Sequence, residues 1–377
     1  MSKTLQDYAT LINDTIQSNE INHYITTDNM CQNLGGIDTF KNINIPQGKV
    51  RSFQKDDILL SNIRLYFRKV YRAKQKGGCS SDVLVFRAKH IDSATLFAIL
   101  SSQIFTDYAC SGSQGSKMPR GNKTHMMDFK IPTINFTIAK IFNSIQNKIE
   151  NNHKINELLH KILELLYEQY FVRFDFLDEN NKPYQTSGGK MKFSKELNRL
   201  IPSGWSVRFL NHKIVSTYQP KTISKTLLND SYSYSVYGGG GIIGRFTEYN
   251  HEQSEFIISC CGQCGIPYLT LPKSWITGNA MVIRPTKSYT SKTYLYHTIN
   301  KYKLTNYITG SVQPRITRQD LSTMPILIPK RKTLNKWNNI SSLLWNLIHN
   351  NMQSTQTLTA LRDFLLPLLL KQQVKPQ

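Results

Sequence analysis

Two stretches of the chain carry the same hydrophobic period. From Thr137 to about Phe171 no proline or glycine interrupts the sequence. Ile138, Ile141, Phe142, Ile145, Ile149, Ile155, Leu159, Ile162 and Leu166 recur there mostly at intervals of three and four. That is the apolar stripe of a long amphipathic helix. A second stripe runs from Thr333 to about Leu366 through Leu334, Trp337, Ile340, Leu344, Ile348, Leu358, Leu361 and Leu365. Both are polar near the middle, at Asn151-Asn152-His153 and at Asn350-Asn351. The segments that precede them are different in kind. They are rich in Tyr, Ile, Val, Thr, Gly and Asn in short alternating runs, such as 231–237 and 256–259. These predict short strands, with the four glycines Gly238 to Gly241 turning between two of them.

The two halves repeat. Asp57-Ile-Leu-Leu-Ser61 resembles Glu255-Phe-Ile-Ile-Ser259, with the serines 198 apart. Gly78 followed by Val83-Leu-Val-Phe-Arg87 resembles Gly278 followed by Met281-Val-Ile-Arg284. The segment Ser111 to Arg120 ends in Pro119-Arg120, and Thr309 to Arg315 ends in Pro314-Arg315, at an offset of 195. Ile131-Pro132 and Ile328-Pro329 follow at 197, and the helical stripes match at 199. Four segments in one order at nearly one offset read as domain, helix, domain, helix. The predicted fold is α+β: two tandem domains, each a short-stranded twisted sheet plus helices, separated by two long helices. A lone stripe of this length needs a partner, and the economical one is the other copy in an antiparallel coiled coil. The central asparagines would then help set its register. The boundaries follow as 1–135, first domain; 136–174, first helix; 175–204, a polar linker containing Pro and Gly; 205–330, second domain; and 331–377, second helix.

Charge adds a partner to this picture. Lys plus Arg number 47 against 25 Asp plus Glu, a net charge of +22. Such a balance attracts polyanions, nucleic acid first and an anionic membrane surface second. A host bias toward Lys and Asn codons is the plain alternative. The N-terminal residues lack a cationic-then-apolar signal pattern, and no apolar run approaches the roughly 18 residues of a membrane span. A soluble cytoplasmic chain is expected. Its six cysteines are then free thiols. Cys261-x-x-Cys264 has only His251 nearby and lacks the second ligand pair that zinc requires, so no metal is expected.

Catalytic signatures are missing. The sequence holds no G-x-x-x-x-G-K-[ST], no H-E-x-x-H, no G-x-S-x-G and no [DN]-P-P-Y. The glycine run at Gly238 leads into Ile-Ile-Gly-Arg rather than Lys-Ser/Thr, so it is read as a turn and not as a phosphate cradle. Lone histidines such as His90 and His297 are read as surface or core residues. No catalytic residue is assigned.

The repeat, paired helices and linker together resemble the specificity subunits of type I restriction-modification enzymes over essentially the whole chain. The most specific stretch is Phe171-Val-Arg-Phe-Asp-Phe-Leu-Asp-Glu-Asn-Asn-Lys-Pro-Tyr184, then Ser187-Gly-Gly-Lys-Met191 and Ile201-Pro-Ser-Gly-Trp205. Gly77 to Val85, Gly115 to Arg120, Val236 to Gly238, Ile242 to Gly244 and Val312 to Thr317 also look like family sequence. The resemblance implies a non-catalytic subunit in which each target-recognition domain reads one half of a split duplex-DNA target. It implies that the helices act as a spacer and dock two methyltransferase subunits, which restriction subunits join. S-adenosylmethionine, ATP and Mg²⁺ would belong to those partners. A helix of about 35 residues spans roughly 50 Å at about 1.5 Å per residue, or about 15 base pairs. That accommodates an unread gap without fixing it. The recognition subunit of a type IIB enzyme remains open as an alternative, as does a basic RNA-binding or scaffold protein.

Candidate DNA contacts are basic or amide side chains on loops. In the first domain they are Lys117, Arg120 and Lys123, with Arg64 and Arg68 beside Tyr66. In the second they are Arg245, Gln313, Arg315 and Arg318. Two halves that read different bases should differ where they read. The recurring Pro-Arg pairs are therefore better suited to frame or phosphate contact than to base readout, which is expected in divergent stretches such as Tyr218 to Tyr237.

Overall fold

The computed structural model describes residues 3–39, 41, 43–131, 134–229, 232–261, 264–286, 290–302, 304–310 and 314–369. The chain divides into two compact units, Met1–Ile155 with Asn351–Gln377, and Asn156–Asn350. The α+β class predicted from the sequence is observed, with small sheets and helices.

In the first unit one sheet takes the order Ala9–Ile12, Val83–Ala88, Ile58–Ser61, Val70–Arg72, all antiparallel. The interior strand Ile58–Ser61 is buried at every position. It therefore reads as a continuous apolar run instead of alternating. A second sheet orders Thr15–Gln17, Lys49–Phe53, Gly77–Cys79 and Tyr24–Ile25. Helix Ser93–Leu100 packs into the core through Leu96, Phe97, Ile99 and Leu100. It starts where the Asp92 carboxylate accepts from the Thr95 N–H. That cap meets one of the amide donors a helix start leaves open.

The second unit repeats the first sheet with its own strands: Val215–Tyr218, Ala280–Pro285, Phe256–Ser259, Pro267–Leu269, again antiparallel. Helix Lys292–Lys301 follows, capped by Ser291. The glycine run behaves as predicted: Tyr234–Gly238 pairs antiparallel with Gly241–Phe246 across Gly239-Gly240. The repeat includes an ion pair. Arg87 grips Asp57 with two 2.8 Å bonds, and Arg284 grips Glu255 at 3.0 and 2.6 Å. Each joins the residue before a buried strand to the neighbouring strand, so these repeated charges hold the sheet.

The long helices are Phe136–Tyr167 and Arg331–Leu369. Within the first unit, Gln146 Oε1 accepts from Arg362 Nη1 at 3.2 Å, and Asn152 Nδ2 donates to Thr355 Oγ1 at 3.1 Å. Within the second, Asn156 Nδ2 donates to the Ile348 carbonyl, His160 meets Trp345 edge-on, and Tyr167 meets Trp337. In each unit the partner's number falls as the helix advances, which is an antiparallel course. Of the central asparagines, Asn152 makes this cross-helix bond, while Asn151 and Asn350 are exposed. Pro367 lies in the last turn of Arg331–Leu369, where its missing N–H leaves the Asp363 carbonyl without its helical donor.

Segment 175–204 is more than a connector. Met191–Ser194 and Arg199–Pro202 pair as a hairpin. Arg199 Nη2 donates to the Phe171 and Val172 carbonyls, and its guanidinium lies 4.5 Å from the Phe174 ring. Phe176 stacks on Trp205 at 5.1 Å. The polar composition concealed this because a few aromatics at irregular spacing carry the packing. Phe171 in turn touches Tyr294 and Trp337 in the core of this unit.

Candidate nucleic-acid interface

The Pro-Arg repeats are closed by the same backbone exchange twice. In the first unit Gln114 and Arg120 exchange both backbone hydrogen bonds, at 2.9 Å each. In the second, Thr309 and Arg315 do so at 2.9 and 2.8 Å. Each loop opens on a left-handed glycine, Gly115 at φ +98° and Gly310 at φ +86°, a conformation that costs a side-chain-bearing residue about 1 kcal/mol. Each loop also bridges to the turn that leaves the buried strand, Ile63 to Arg120 and Cys261 to Arg315. Each leads into a short capped helix, Lys123–Met127 behind Asn122 and Arg318–Ser322 behind Thr317.

This geometry sorts the candidate cations. Arg120 and Arg315 occupy one position of the repeat, and Lys123 and Arg318 another, three residues on; all four are exposed. Arg120 Nη2 lies 3.0 Å from Asp82 Oδ1, a surface pair whose arginine stays 62% exposed. Arg64 docks on the loop. Its backbone N–H donates to the Pro119 carbonyl at 2.9 Å, and its Nη2 reaches the Lys117 carbonyl at 3.4 Å. Arg64, Lys117, Arg120 and Lys123 are thus brought together. Arg68 is turned the other way. Its Nη2 donates to the Ser101 carbonyl at 2.9 Å, and burial draws its pKa down against the opposing pull of Asp363. Arg245 spends its guanidinium latching the hairpin to the Tyr232 and Ser233 carbonyls. Gln313 lies outside the described residues.

Sequence reasoning had no signal for the thiols' place. Cys264 Sγ donates to the Pro314 carbonyl at 2.8 Å, behind the second loop. Cys260 Sγ lies 3.9 Å from Cys261 Sγ, and burial pushes the Cys260 thiol up to about 11. A thiol that stays protonated is a packing group and not a nucleophile. Among the described residues no cluster of three metal-binding side chains occurs, and no helix is long and apolar enough to cross a membrane.

Two topologically matched units thus each present a basic loop beside a repeated sheet. Residues 202–361 match the family model described as type I restriction modification DNA specificity domain. The chain is 22% identical over 312 residues to the type I restriction enzyme MjaIX specificity subunit of Methanocaldococcus jannaschii, covering 73% of this chain and 67% of that protein. Its fold is similar to the S subunit of the type I restriction-modification system from M. genitalium, with a TM-score of 0.64 and 15% identity over 99% of this chain and 96% of that one. The resemblance read from the sequence, to type I specificity subunits, is borne out by these matches.

Proposed function

We propose that this chain is the DNA-specificity subunit of a type I restriction-modification enzyme, reading a bipartite duplex target. The observation that carries the reading is the duplicated loop. One frame, with a basic residue at the same two positions, is built twice from one chain. Two such frames suit two half-sites. Arg120, Lys123, Arg315 and Arg318 are the phosphate anchors, because residues common to two readers of different sequences carry no base information. The domain boundaries follow the repeat, and the two long helices act as an antiparallel coiled-coil spacer.

The helices also supply a docking surface for methyltransferase subunits. In the second unit Leu158, Ile162 and Leu165 are exposed on one helix at intervals of four and three, and Leu343 and Leu347 on the other. Apolar side chains at this spacing suit a partner's helices. Restriction subunits join that assembly, and S-adenosylmethionine, ATP and Mg²⁺ belong to the partners. The test is methylome sequencing of a host expressing this chain with its methyltransferase partner. A split N6-methyladenine motif is the expected result, and the absence of any new motif refutes the reading.

A further inference from the structure

We propose that Tyr66 and Met118 form the base-contacting tip of the first unit. This inference rests on the DNA-specificity reading and adds to it the side chains that discriminate. Tyr66 and Met118 are each 52% exposed. They sit on neighbouring loops, because Arg64 bonds to the Lys117 and Pro119 carbonyls on either side of Met118. A solitary exposed apolar side chain is ordinary. Two on joined loops that also carry Arg64, Lys117 and Arg120, with Lys123 three residues on, put an apolar tip in a cationic stretch that complements a polyanion.

The turn that carries Tyr66 is held in a costly conformation. Arg64 and Arg68 flank it, and both are left-handed at φ +49°. Such residues persist only where their surroundings over-determine them, and they gather at ligand-contacting sites. Here Asn33 N–H donates to the Phe67 carbonyl at 2.9 Å, Leu34 N–H to the Arg68 carbonyl at 3.1 Å, and Arg68 Nη2 to Ser101. The Phe67 ring braces the Tyr66 ring edge-on at 4.6 Å. Tyr66 is thus presented by a rigid turn, so little ordering entropy would be lost on contact.

Comparison of the halves points the same way. In both units this turn joins the same two strands of the repeated sheet, Ile58–Ser61 to Val70–Arg72 and Phe256–Ser259 to Pro267–Leu269. In both it lies against the Pro-Arg loop. Yet the first turn reads Asn-Ile-Arg-Leu-Tyr-Phe-Arg-Lys, and the second Cys-Cys-Gly-Gln-Cys-Gly-Ile, with neither an aromatic nor a cation. The frame is kept and the tip has diverged, which is the pattern of a reader and not of a phosphate clamp. Apolar side chains at a base edge recognise the thymine methyl group, so the expected target is a base pair bearing one.

The experiment uses the full chain assembled with its methyltransferase subunits, compared as wild type, Tyr66→Ala, Met118→Ala and Tyr66→Phe. Methylome sequencing should show each alanine variant relaxing the same one or two adjacent base pairs, in one half of the motif only. Discrimination there should fall by roughly 5- to 100-fold. The salt dependence of binding and the urea midpoint should stay at wild-type values, and Tyr66→Phe should keep the motif. An unchanged motif in both alanine variants overturns the inference alone, as does a sequence-independent loss of binding. A wild-type assembly that produces no split motif sinks both the inference and the reading beneath it.

Discussion

Replacing Arg120 with alanine separates frame from contact. The backbone of Arg120 closes the loop through its two bonds to Gln114, and alanine keeps both. What is removed is a guanidinium that is 62% exposed and paired with Asp82. An ion pair that open to solvent contributes about 0.2–1 kcal/mol, so the urea midpoint should move little. Binding should change more. One lost phosphate contact lowers the slope of log affinity against log salt by about 0.9. Extrapolated from 1 M to 0.1 M salt, that is roughly an eightfold loss of affinity, or about 1.2 kcal/mol, the same for every sequence. The Asp82 carboxylate, left without its partner, adds repulsion in the same direction. Fluorescence anisotropy on two unrelated duplexes from 50 to 200 mM salt reads the slope, and Arg120→Lys should recover most of it. A loss confined to one base pair with an unchanged slope would refute the phosphate assignment. A drop of several kcal/mol in stability would show that the side chain and not the backbone holds the loop.

Acid should destabilise the second unit. Burial draws His297 down to about 3 and His349 down to about 4. Both then fold neutral, and the unfolded chain binds the extra proton. Their stabilisation is present above pH 6.5 and is lost as pH falls below it, by about 2 kcal/mol per histidine at pH 5; urea titrations at pH 7.5, 6 and 5 measure this, and His297→Phe should remove about half of the loss. Trp337→Ala removes a buried ring packed on Tyr167 and Phe171, and should cost about 3–5 kcal/mol in the same assay. Thr355→Val strands the buried Asn152 amide and should cost about 1–3 kcal/mol, whereas Asn152→Leu with Thr355→Val should be near neutral. Leu165→Glu with Leu343→Glu alters exposed positions only; it should abolish copurification with the methyltransferase subunit while thermal unfolding stays unchanged.

Periodicity determined most of what could be known in advance. An apolar stripe at 3.6 residues declares a helix wherever it falls, so both long helices were legible to within a few residues. The duplication was equally legible, since two copies of one frame must solve the same packing problem. That is why Asp57 and Arg87 recur as Glu255 and Arg284, and why a glycine opens each Pro-Arg loop. The tertiary structure alone decided which charges are spent. Arg64, Arg68 and Arg245 look alike in sequence, yet Arg68 turns inward to Ser101 and Arg245 latches a hairpin, because each guanidinium finds carbonyls brought near by distant segments. The packing of segment 175–204 was illegible for a related reason: it hangs on Phe176 and Arg199, whose partners Trp205 and Phe174 are not neighbours in sequence. Local pattern specifies local structure, whereas the use made of a long polar side chain depends on what the fold places within its reach.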